Sequence, residues 1–164
     1  MVVASVGPIL AQSAERAQGQ KPVLNMKISL NPAIAAVGSP VNIHIELLNT
    51  SSKEVAIFRR KAGPPLYTVE VLDTAKRAVP LTPYGLASSK GEMAFKDDKG
   101  NVRMMVSSGR MVPIPPGGTL EDEVILTELY DLTQPGTYTV RVERKDLDAG
   151  PKISSNMITL TIVK

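Results

Sequence analysis

Apolar and polar residues alternate along this chain in run after run, the pattern of a pleated strand with one face buried and one face wet. Leu24, Met26, Ile28 and Leu30 fall on one side of such a ribbon, and Asn25, Lys27 and Ser29 on the other. Val41, Ile43, Ile45 and Leu47 repeat the pattern against Asn42, His44 and Glu46, and Tyr67, Val69 and Val71 take it up again. Two clean runs end the series: Tyr138, Val140 and Val142 against Thr139, Arg141 and Glu143, then Ile158, Leu160 and Ile162 against Thr159 and Thr161. No apolar stripe at helical spacing is sustained. Strands at this density, separated by turn signals, predict an all-β fold: an antiparallel β-sandwich of about seven to nine strands, forming one domain over residues 20–164. The last two runs are expected to pair as a hairpin joined by a polar loop over residues 145–152.

The turn signals are specific. Asn31-Pro32 breaks the first strand, and Gly38-Ser39-Pro40 announces the next. Asn49-Thr50-Ser51-Ser52 is a loop whose short polar side chains satisfy backbone groups locally. Gly63-Pro64-Pro65 and Pro115-Pro116-Gly117-Gly118 are further breakers. Short strands are expected at 55–58, 78–81, 102–106, 111–114 and 120–126, with a hairpin turn at 73–77. Over residues 82–100 the alternation fails, and Pro83, Gly85, Gly91 and a charged Lys96-Asp97-Asp98-Lys99-Gly100 run replace it. The segment reads as a loop or insertion, long for a compact domain and of the kind that carries function on a stiff scaffold. Tyr84, Leu86, Met93 and Phe95 are its large apolar residues and the candidate binding residues. They are contact anchors if the loop is exposed, or a small satellite core if it folds back.

Composition removes several classes of chemistry. Cysteine is absent, so disulfides, thiolate metal sites and cysteine nucleophiles are excluded. The net charge of +3 comes from interspersed residues, a solubility charge rather than a nucleic-acid footprint. His44, the single histidine, lies on the polar face of its strand with no carboxylate at motif spacing. Asp97-Asp98 and Glu121-Asp122-Glu123 lack the spaced oxygen ligands of a calcium loop. In the second cluster the alternation puts Glu121 and Glu123 on one face and Asp122 on the other. No phosphate-binding loop, nucleotide fingerprint or zinc-protease motif is present. These residues predict a chain that is not an enzyme, with no catalytic residue, no metal and no cofactor. The short apolar run over residues 2–10 precedes small-residue sites at Ala11-Gln12-Ser13 and Ala17-Gln18-Gly19, although no Lys or Arg stands before it. Residues 1–19 are therefore expected to be a signal peptide or disordered leader, and the protein secreted or periplasmic. The run is too short to insert across a membrane.

Leu132-Thr133-Gln134-Pro135-Gly136-Thr137-Tyr138-Thr139-Val140 resembles the corner and following strand of immunoglobulin-like domains. That resemblance implies a structural role for Tyr138, whose hydroxyl would bond back to the upstream backbone. Val140 stands where the family has a cysteine, so its disulfide is missing. The order of turns, with Pro116-Gly117 and Pro135-Gly136-Thr137-Tyr138 as its motif-like parts, is similar to small exported bacterial domains of this build, distantly including the bacterial intracellular proteinase inhibitor family. The function implied is an exported, non-enzymatic binding or accessory module with a protein partner, acting through loops at one end of the sandwich. The alternative is a proteinase inhibitor.

Overall fold

A computed structural model describes residues 23–62, 65–144 and 152–164, with the backbone alone for Lys61 and Ala62. The 1–19 leader, the Gly63-Pro64 breaker and nearly all of the 145–152 loop lie outside the described residues. The protein is an all-β fold built mostly of antiparallel strands. One sheet has the order β1 (Leu24–Asn31), β3 (Asn42–Asn49) and β9 (Thr119–Ile125). A second runs β11 (Ile153–Ser154), β10 (Gly136–Arg144), β12 (Ile158–Val163) and β2 (Ile34–Ala36), and β5 (Thr68–Leu72) also pairs with β10. Two smaller ribbons join β4 (Val55–Ala62) to β8 (Ser108–Ile114) and β6 (Ala94–Lys96) to β7 (Val102–Met104). Two short helices, α1 (Pro83–Lys90) and α2 (Leu126–Leu129), complete the described elements.

The alternating residues form the core. Leu24, Met26 and Ile28 of β1, Ile43, Ile45 and Leu47 of β3, Val69 and Val71 of β5, Val140 and Val142 of β10, and Leu160 and Ile162 of β12 are all buried in one cluster. The expected C-terminal hairpin is present, with Tyr138 opposite Leu160 and Val140 opposite Ile158. The described strands number twelve, against an expectation of seven to nine, because several are pieces of two or three residues. The expected strand at 78–81 shrinks to two isolated bridges, Leu72 to Ala78 and Leu81 to Tyr130. Strand β2, which the turn-rich sequence around Pro32 conceals, lies parallel to β12. The first strand is thereby divided between the two larger sheets, with a cis Asn31–Pro32 peptide at the division.

The 82–100 segment is not a loop. Thr82 caps α1 by accepting the Gly85 N–H at 3.0 Å, Pro83 opens the helix with a φ already suited to it, and Gly91 ends it in the left-handed region at φ 71°. Capping rather than an apolar stripe makes this helix, so a reading by periodicity passes over it. The charged run beyond it is a hairpin turn: the Asp97 carboxylate accepts the N–H groups of Lys99 (3.0 Å) and Asn101 (2.8 Å), and Gly100 adopts φ 80°. Short acidic side chains that bond to the backbone two to four residues on favour such turns.

Asn49 holds the place where β3 gives way to β4 and β8 to β9. It is buried, and its side-chain amide donates to the carbonyls of Lys53 and Ile114, both at 2.8 Å. Its Oδ1 accepts the Ser51 N–H at 2.9 Å, and its backbone exchanges bonds with Gly117 and Gly118 across the turn. Asn49→Ala removes the side-chain bonds to the Lys53 and Ile114 carbonyls and to the Ser51 N–H. A loss of about 2 kcal/mol is expected, measured as a lower denaturation midpoint with an unchanged slope.

Candidate functional site

Helix α1 is pressed against α2 so closely that only glycine fits at the contact. A Cβ on Gly85 would stand 2.0 Å from the Leu129 carbonyl oxygen. The Thr82 hydroxyl donates to the Glu128 carbonyl, and the Thr82 N–H to that of Leu129 at 3.0 Å, so the helix start is tied to the same turn. This fixes Tyr84, whose ring packs on the core and meets the Phe95 ring edge-on, with centroids 5.6 Å apart and planes at 74°. The β6–β7 hairpin is thus held to the body through Phe95.

Between α1 and this hairpin runs an open groove of about 580 Å³. Its apolar lining comes from Tyr84, Phe95, Met104, Met105 and Val106, and its polar lining from Asp97, Asp98, Arg103 and Glu128. Asp97 is held below the usual carboxylate range, first by the backbone N–H of Asn101 and also by the Asn101 side chain, by Arg103 and by the Lys99 N–H. Arg103 Nε lies 3.0 Å from Asp97. Asp98 and Glu128 have no ion-pair partner among the described residues. The Tyr84 hydroxyl is pushed above its ordinary range by burial and then by the negative Glu128, against the pull of Arg60.

Of the four candidate binding residues, Tyr84 and Phe95 meet and line the groove. Leu86 (47% exposed) and Met93 (43% exposed) do not line it. On a helix, positions two apart point to opposite sides, which separates Leu86 from Tyr84. Sequence reading missed Met104, Val106 and Glu128. Their signal was faint: Val102, Met104 and Val106 alternate with Arg103 and Met105, but nothing in that pattern says which face is covered. Tyr138 is buried, and its hydroxyl donates to the Gln134 carbonyl at 2.6 Å. His44 stands exposed on β3, opposite Glu123 of β9. Among the described residues, no cluster of three or more His, Cys, Asp or Glu could hold a metal, and no helix is long and apolar enough to cross a membrane.

A second polar constellation joins the two larger sheets. The inward row of β10 runs Tyr138, Val140, Val142 and then Arg144, which is only 3% exposed; the inward row of β9 carries Asp122 between Leu120 and Val124. Tyr67 joins the two charges. Its hydroxyl donates to Asp122 at 3.0 Å and accepts from Arg144 at 3.2 Å, and the guanidinium lies 5.2 Å from its ring centroid. Arg144 also donates to the Phe58 carbonyl at 2.8 Å, and Arg59 approaches Asp122 at 3.7 Å. Burial, and next the Asp122 charge, hold the Tyr67 hydroxyl far above its ordinary value of 10.0, against the opposing Arg144.

No family model matches the chain, and no curated protein matches it. The solved structures with a distant likeness to this chain include the following two. A Pseudomonas fluorescens alkylpurine DNA glycosylase AlkC, bound to DNA containing an abasic site analog, is 10% identical with a TM-score of 0.42, over 87% of this chain and 31% of that one. A family 123 glycoside hydrolase from Clostridium perfringens is 9% identical with a TM-score of 0.36, over 85% of this chain and 27% of that one. The chain spans less than a third of either. Both are enzymes, and the expectation that this chain is not an enzyme is withdrawn on that finding; at these scores neither reaction is carried over to it.

Two outcomes are expected from this geometry. Gly85→Ala forces α1 away from Leu129 and costs about 1–3 kcal/mol of stability, read by thermal or chemical unfolding. The neutral Tyr67 hydroxyl is favoured in the folded state, so its contribution is complete below its ordinary value of 10.0 and is lost as pH rises beyond it. Unfolding midpoints measured above pH 10 should therefore fall, and fall less steeply in Tyr67→Phe.

Proposed function

We propose that this chain is an immunoglobulin-like antiparallel β-sandwich module, exported to the periplasm or the cell exterior, that holds a protein partner in the groove between α1 and the β6–β7 hairpin. The fold part of this reading is supported by the single core shared by the two larger sheets and by the Tyr138 hydroxyl bonded to Gln134 four residues upstream. Export rests on the apolar run over residues 2–10 and the small residues after it.

The observation that carries the binding role is the composition of the groove. Its apolar walls are formed by aromatic and methionine side chains, the types favoured at contact surfaces. Asp97 is neutralised by Arg103, so the charges left on the rim are the carboxylates of Asp98 and Glu128. The partner best matched to this is a segment with a large apolar side chain flanked by Lys or Arg. An inhibitor inserting an extended loop into a protease cleft is not served by residues 82–100, which fold into a helix and a hairpin.

Selection of displayed peptides on the full chain tests the reading. Apolar sequences flanked by basic residues should be enriched, and the double substitution Asp98→Lys with Glu128→Lys, both at exposed positions, should weaken their binding by about tenfold or more while leaving the unfolding midpoint in place. Equal binding by the substituted protein would remove the groove from consideration.

A further inference from the structure

We propose that two copies of this chain pair antiparallel through the outer edge of β7, with Met104 facing its own copy across a two-fold axis. The direction of the backbone groups carries the argument. In an antiparallel ribbon, facing pairs alternate between those that exchange hydrogen bonds and those that do not. The Met105 N–H donates to the Met93 carbonyl at 2.8 Å, and the Asp97 N–H to the Asn101 carbonyl at 3.0 Å. Phe95 and Arg103, midway between, belong to the same hydrogen-bonded set. The backbone groups of Arg103 and Met105 therefore point to β6, and those of Val102, Met104 and Val106 point away from it. Among the described residues no strand pairs with that outer edge.

The side chains on this edge are as exposed as its backbone: Val102 is 65% exposed, Met104 72% and Val106 74%. Open edges are ordinarily guarded by charge, proline or a bulge. The β4–β8 ribbon is guarded in that way, with Arg110 and Pro113 in β8 and a register shift between Arg60 and Ala62. Along β7 the one charge is Arg103, already paired with Asp97.

A second copy satisfies this edge in one particular register. Centring the pairing on Met104 sets Val102 opposite Val106 of the partner and Arg103 opposite its Met105, so apolar meets apolar and no charge faces its like. The relation is isologous and closes at two chains. Five residues a side make a small contact, so association is weak and depends on concentration. The two grooves would then belong to one assembly, able to hold two segments of a single partner with the gain that linkage brings.

The absence of cysteine makes the register directly testable. In a hydrogen-bonded pair the Cα atoms stand about 5.5 Å apart, within the span of a disulfide. In the full chain, Met104→Cys should oxidise to a covalent dimer, whereas Val102→Cys, which faces Val106 rather than itself, should cross-link far more slowly. Sedimentation of the unmodified protein should show a dimer whose share grows with concentration, and Met104→Lys should abolish it without moving the circular dichroism spectrum. A protein that stays monomeric at millimolar concentration, open-ended aggregates in place of a dimer, a dimer that survives Met104→Lys, or equal cross-linking of the two cysteine variants would each overturn the proposal. Peptide binding in the groove is read separately, so failure of one result does not decide the other.

Discussion

A chain that passes repeatedly between two sheets has to carry polar backbone through an apolar interior, and each unpaired N–H or C=O left there is costly. Here side chains close the breaks. Asn156 lies alongside β1 and bonds both backbone groups of Ile28, accepting its N–H at 2.8 Å and donating to its carbonyl at 3.2 Å, as a neighbouring strand would. Ser155 does the same for β10 where β11 stops and β12 has not begun, its hydroxyl accepting the Val142 N–H at 3.0 Å. Asn49 serves the turn from β3 to β4, and Arg144 caps the Phe58 carbonyl. The strands can be short and broken because the missing ladder bonds are supplied in this way.

The buried charges belong to the same arrangement. Asp122 and Arg144 each occupy a position that the alternation assigns to the interior, and neither would be tolerated there alone. Tyr67 stands between them, so a carboxylate from one sheet and a guanidinium from the other share a single hydroxyl. Such a link is weak evidence for stability but strongly directional. It sets where β9, β10 and the start of β5 lie with respect to one another, and so where α2, which follows β9 directly, falls.

Much of this fold was legible because its main signal has a period of two. The inward rows of β1, β3, β5, β10 and β12 are the apolar rows of the sequence, and the Asn49 loop behaves as its polar residues imply. What escaped notice had no period to show. Helix α1 is eight residues set by Thr82, Pro83 and Gly91, and β2 is three residues whose partner is more than a hundred positions away. Arg144 was readable as the continuation of Tyr138, Val140 and Val142, though a charged residue at the end of such a row reads more naturally as its exit to solvent. The groove was half legible. Tyr84 and Phe95 stand out as apolar residues in a turn-rich stretch, whereas Met104 and Glu128 acquire meaning only once α1, α2 and the hairpin are brought together.

The parallel pairing of β2 with β12 has a consequence for how the chain is made. Thr161 lies opposite Ile34 and Val163 opposite Ala36, so one of the earliest described strands waits for the last. Synthesis delivers a chain from its N-terminus, and until β12 has emerged the buried Ala35 and the inner side of β1 lack their final cover. The three-stranded sheet can gather once β9 has emerged, but the second sheet closes only when the C-terminal strand arrives. Folding of this domain is therefore completed only once β12 is available, and a chain stalled shortly before residue 158 would present an open sheet edge to whatever receives it.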